Sequence, residues 1–269
     1  MKIGKATQPH TAICTSNADT IVVRGADLCR DLIGHLSFTE YFHFLLTGRR
    51  ASPAAVAVLD ATLVAIAEHG LVPSVQASRM TLAASPEVLQ GAVAAGILGC
   101  GSVILGASEN AGQLFHQVQA RAAGQDLDAA AAAVLGEYVA AGRAIPGYGH
   151  PQHKARDPRV ARLFEVAAEQ GIDLRYVRIA EALERAIAPA LGKDLRLNVS
   201  AAIPAVLLGI GFPLQALKGV PILARTAGLI AHLSEELQSS IGFALSYQAS
   251  RSVRYDGELP EGFEPAPGH

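Results

Sequence analysis

The hydrophobic positions of this chain recur at helical rather than strand spacing, and helix-opening residues punctuate them. Ser37, with Glu40 three residues on, reads as a capping box ahead of Tyr41–Leu46. Ser52-Pro53 opens a helix with Val56, Leu59, Leu63 and Ile66 on its apolar face, closed by Gly70. Ser85-Pro86-Glu87 opens another, residues 128–141 form an alanine-rich helix, and Asp157-Pro158 starts one that stops at Gly171. Spacing also predicts helices over 177–191 and 221–240. Thr20–Val23 is the one strand-like stretch, a single edge hairpin. The predicted fold class is all-α.

Two uncharged runs, Val88–Ser108 and Leu197–Leu217, are long enough to cross a bilayer. Glycines interrupt the first, Pro204 and Pro213 the second, and neither is flanked by a basic cluster that would set topology. The expectation is therefore helices apolar on all sides and buried in protein. Gly106–Gly112 and Gly209–Pro213 are the candidate hinges. They divide the chain into a large domain, 1–106 with 211–269, and an inserted small domain, 107–210. The proline-bearing tail from Glu258 is expected to be an arm, free or laid on a partner subunit.

Composition narrows the function classes. A chain of 269 residues that is 50% hydrophobic and 17% charged can bury a substantial core. Its formal charge of -2 provides no attractive field for nucleic acid. Cys14, Cys29 and Cys100 are too scattered for a disulfide framework or a zinc site, and the first residues lack a signal-peptide apolar core, so the expected location is cytoplasmic. No His-Glu-x-x-His or comparable grouping occurs, and no metal is expected.

Chemistry concentrates in Pro146-Gly147-Tyr148-Gly149-His150-Pro151, followed by Lys154 and Asp157-Pro158-Arg159. Glycines let the backbone approach a ligand, and the Asp-Pro pair seats Arg159 in the first turn of a helix. Arg159 and Arg225 are planar cations suited to bidentate pairing with two carboxylates. His69 ends a helix before Gly70, where a helix dipole would also favour a protonated ring.

The 146–159 segment resembles the citrate synthase superfamily around its second active-site histidine. Arg24-Gly25, the Ser37–Gly48 helix, His69 with Ser74–Arg79, and Arg225 with Gly228–His232 follow in the family's order. The chain looks most like the citryl-CoA lyase branch, including the lyase module of ATP-citrate lyase. The resemblance implies an all-α homodimer holding an oxaloacetate-like polycarboxylate beneath a CoA thioester. It makes His69 and His150 catalytic and Arg159 and Arg225 substrate-binding. Lys154 would meet a CoA phosphate, and the backbone at Ile145, Gly147, Tyr148 and Gly149 would meet the rest of CoA.

Two positions depart from the synthase pattern. Ile104 stands where synthases carry the histidine that polarises the acetyl-CoA carbonyl, and isoleucine cannot donate a hydrogen bond. Leu197-Asn198-Val199-Ser200 stands where the family has Asn-Val-Asp, so Ser200 replaces the catalytic aspartate. The loss of the histidine is shared with lyase modules. The expected activity is cleavage of citryl-CoA, or a similar hydroxy-polycarboxyl-CoA, to acetyl-CoA and oxaloacetate. A small citrate or methylcitrate synthase and a degenerate acyl-CoA- or polycarboxylate-binding protein stand as alternatives.

Overall fold

The computed structural model describes residues 9–101, 105–124, 126–149 and 157–264. His150, Lys154 and Ile104 lie outside them. The N-terminal part is a small antiparallel sheet in the order β1 (Cys14–Ser16), β2 (Ile21–Val23), β3 (Ala26–Asp27). A second hairpin thus joins the expected one. Its turn is Arg24-Gly25, with φ 51° and 86°, the positive values that two-residue hairpins need. Arg24 Nε donates to the Leu45 carbonyl at 2.8 Å and ties this turn to the first helix.

Helix α1 (Phe38–Thr47) has the complete capping box: Ser37 and Glu40 each accept the other's backbone N–H, at 3.2 and 2.7 Å. Helix α2 (Pro53–Ala67) is capped by Ser52 and ends three residues before Gly70. Of the predicted face it buries Leu59 and Ile66, together with Ala55, Val58 and Thr62, while Val56 and Leu63 are half-buried. Ser85 does not open a helix. It caps the C-terminus of α3 (Pro73–Ala84), and the next helix, α4 (Leu89–Leu98), starts after a turn.

The two apolar runs behave differently. The first breaks at Gly99, and α4 buries only Ala92 and Gly96 while Leu98 is 86% exposed, so the expectation of burial on all sides fails there. In the second, α9 (Val199–Gly209) is buried at every residue from Ala201 to Leu208. Around α9 pack α5 (Ala107–Arg121), α7 (Pro158–Glu169) and α8 (Arg175–Leu191), with α6 (Leu127–Ala140) behind α8. Helix α10 (Gly219–Glu236) lies against α2, α3 and α4, and α11 (Gly242–Ser252) packs on α3. One apolar core joins α2, α5–α10 and the segments between them. No helix among the described residues is long and apolar enough to cross a membrane.

Candidate active site

Asp157 begins the arrangement. It caps α7 by accepting the Arg159 backbone N–H, as the Asp-Pro signature predicts, and it then turns back on the same arginine. Arg159 Nε and Nη2 donate to the two carboxylate oxygens at 3.0 and 2.8 Å. Burial pushes the Asp157 carboxyl up, but the Arg159 hydrogen bonds and charge, together with the Val199 N–H, outweigh it and hold it below the usual range. The third guanidinium nitrogen of Arg159 reaches the Ala65 carbonyl of α2 at 3.5 Å. Arg159 therefore bridges the helix that follows the histidine loop and the helix that leads to His69.

The loop itself is fastened to the start of α9. Gly149 N–H donates to the Arg196 carbonyl at 2.7 Å, Asn198 N–H donates to the Gly147 carbonyl at 3.0 Å, and Tyr148 pairs with Leu197. Asn198 Nδ2 donates to the Gly149 carbonyl at 2.6 Å, while Asn198 Oδ1 accepts the Ser200 N–H at 2.9 Å. Gly147 has φ 87° and a Cβ there would stand 2.5 Å from that of Ala201, so glycine is required twice over. Tyr148 is buried and donates its hydroxyl to the Ala180 carbonyl at 2.8 Å, and Ile145 is buried beside it. Half-buried Ser200 thus sits one residue past Val199, whose N–H is held by Asp157 at 3.2 Å. The structure brings Gly147, Tyr148, Gly149, Ser200 and Arg159 together around the N-terminal ends of α7 and α9.

Arg225 comes from α10 on the other side. It is 3% exposed, and among the described residues its Nε and Nη1 have no hydrogen-bond partner. Burial pulls its pKa down; nearby Glu68 and Cys100 oppose that and the charge of Arg159 adds to it. Two guanidiniums within electrostatic reach, one incompletely paired in a dry setting, make a locus for a multiply charged anion. His69 follows Glu68, whose carboxylate accepts the backbone N–H groups of His69 and Gly70. Burial pushes the Cys100 thiol up, and the charge of Arg225 and the Ser74 side chain oppose that. Leu105, just past Cys100 in sequence, holds φ 66°, a strained value for a non-glycine residue.

Arg79 is not available for substrate: it is buried and pairs with Glu235 and Glu236, each at 2.6 Å. A groove of about 500 Å³ between α1 and α2 is lined by Glu40 and Asp60 with no cation, so it does not suit a polyacid. Among the described residues no three His, Cys, Asp or Glu side chains cluster closely enough to hold a metal ion. Of the supports, Asp157 is marked by the sequence only as a helix cap, and Asn198 and Glu68 are given no supporting role by it. For the first two, position one step before a helix was the available signal.

Comparison with known proteins bears on the fold and the family. The citryl-CoA lyase of Hydrogenobacter thermophilus superposes with a TM-score of 0.83 at 31% identity, covering 96% of this chain and 98% of that one. The ATP citrate lyase of Methanothrix soehngenii, in complex with citrate and coenzyme A, shares the fold with a TM-score of 0.77 at 21% identity, over 98% of this chain and 44% of that one. The citrate synthase of Haloferax volcanii is 24% identical over 86% of this chain, which spans only 58% of that enzyme's length. A sequence profile of the citrate synthase C-terminal domain matches residues 8–242. The chain belongs to the citrate synthase family.

Proposed function

We propose that this protein is a carbon–carbon lyase that cleaves citryl-CoA, or a close hydroxy-polycarboxyl-CoA, to acetyl-CoA and oxaloacetate. The observation that carries the reading is buried Arg225, whose Nε and Nη1 have no hydrogen-bond partner among the described residues, near Arg159 in a chain whose fold matches that of a citryl-CoA lyase. Arg159 and Arg225 hold the carboxylates, and His69 and His150 bind the carbinol oxygen. One histidine takes the hydroxyl proton as that oxygen becomes the oxaloacetate carbonyl. The bond to the thioester α-carbon breaks, and its electron pair leaves as the enolate of acetyl-CoA. A proton delivered through Ser200 or a water it holds completes acetyl-CoA. CoA lies along Ile145, Gly147, Tyr148 and Gly149, with Lys154 on a phosphate.

Residues 107–210 act as the smaller unit that closes on the remainder and excludes water. The working form is a homodimer: Leu98, Phe243, Tyr247 and Val253 are all more than half exposed, apolar side chains that a second copy would cover. The similarity to citrate synthases favours a second reading, condensation of acetyl-CoA with oxaloacetate. Purified protein given citryl-CoA should release oxaloacetate, seen as NADH oxidation in a coupled assay, with His150→Ala slower by about 10²–10⁴. No turnover above that variant rejects lyase activity, and thiol release from acetyl-CoA plus oxaloacetate selects the synthase.

A further inference from the structure

Arg225, Gly228 and His232 recur at helical intervals on α10, and the proposed reaction uses only the first. At Gly228 a Cβ would overlap the Ala67 carbonyl oxygen, so α10 meets the end of α2 backbone to backbone. One turn later, His232 Nε2 lies 2.9 Å from Glu68 Oε2, and Nδ1 lies 3.4 Å from Arg79 Nη1. A guanidinium only donates and a carboxylate only accepts. One neutral tautomer serves both: Nδ1 accepts from Arg79 and Nε2–H donates to Glu68. Arg79 is itself immobilised by Glu235, Glu236 and the Ser239 carbonyl. At the other end, Glu68 accepts the N–H groups of the His69–Gly70 turn, and its charge acts on Arg225.

We propose that His232 is a positioning residue, which holds Glu68 in the rotamer that fixes the His69 turn. The inference rests on the lyase reading for its kinetic arm and on the hydrogen-bond chain for its spectroscopic arm. Both Glu68→Ala and His232→Phe should lower kcat/KM for citryl-CoA by about 10- to 100-fold. Their combination should be no worse than the more damaging single change, because the two groups act as one unit. His232→Gln, which can still offer a donor to Glu68, should restore activity to within about fivefold even where its melting temperature matches that of His232→Phe.

Independently of turnover, the His69 imidazole resonances in ¹H–¹⁵N spectra, assigned with His69→Gln, should shift alike in Glu68→Ala and His232→Phe and stay put in His232→Gln. Wild-type protein that does not cleave citryl-CoA but shows this spectral pattern sinks the lyase reading and upholds the positioning role. Unmoved His69 signals in both disruptive variants, or additive kinetic losses in the double variant, overturn the positioning role.

Discussion

Asp157, fully buried, grips the guanidinium of Arg159 from two positions upstream through both carboxylate oxygens. The same carboxylate holds the N–H of Val199, so one side chain sets the relative placement of α7, α9 and the arginine between them. Replacing it by asparagine removes the charge while keeping the shape. Asp157→Asn should cost about 3 kcal/mol in chemical denaturation, near the low end for breaking a buried pair, because Arg159 keeps some solvent contact. It should also cost roughly 10² in kcat/KM on citryl-CoA, through misplacement of Arg159. Unchanged kinetics in a folded variant would separate Arg159 from the reaction.

Arg225 presents the reverse relation between stability and use. With two nitrogens unpartnered among the described residues, its charge is a liability until an anion arrives. Arg225→Met should therefore raise the stability of the ligand-free protein by about 1–2 kcal/mol. The wild-type protein should melt higher in citrate by ligand linkage, and the variant should not. A variant that melts lower than wild type without citrate contradicts the account.

Acid sensitivity should centre on Glu236. Burial drives its carboxyl up, yet Ser240 Oγ, Arg79 and the N–H groups of Gly242 and Ile241 prevail and hold it at about 2. A carboxylate whose folded value is depressed contributes stability in full above its unfolded value, and that contribution is lost as pH falls through the folded one. The window is therefore about pH 4.5 down to about 2, with about 3 kcal/mol at stake. Asp157, depressed for similar reasons, adds in the same direction. Urea titrations across this range should show a shallower loss for Glu236→Gln than for wild type.

Gly147→Ala tests the loop without touching a charged group. Alanine at φ 87° is strained, and its methyl meets Ala201 at the start of α9. Calorimetry with CoA should show affinity reduced by at least tenfold, while the circular dichroism of the helices remains that of wild type. Equal affinity would remove this backbone from the CoA contact.

The helix ends were the most legible part of the sequence, because capping is local chemistry. Ser37 with Glu40, Ser52-Pro53 and Asp157-Pro158 all cap the helices that they announce. Helix α3 escaped notice since its inner face is polar, with Ser74, Ser78 and Arg79 buried beside Val75 and Leu82. Hydrophobic spacing cannot reveal a face built that way. The break falls at one of five glycines in the first apolar run, and a run without a period does not single out Gly99 among them. Within the candidate site, Arg159 was marked by its motif. The supports Asn198, Glu68 and His232 act across long sequence separations, and only folding joins them to their partners.

The pairing of residues 147–149 with 196–198 means that the glycine loop has no independent freedom to swing. Amide protons of Gly149 and Asn198 should exchange with deuterium at one common rate, since releasing either requires the same ribbon to unzip. Whatever peels away the peptide leading to His150 must expose the tip of α9 in the same event.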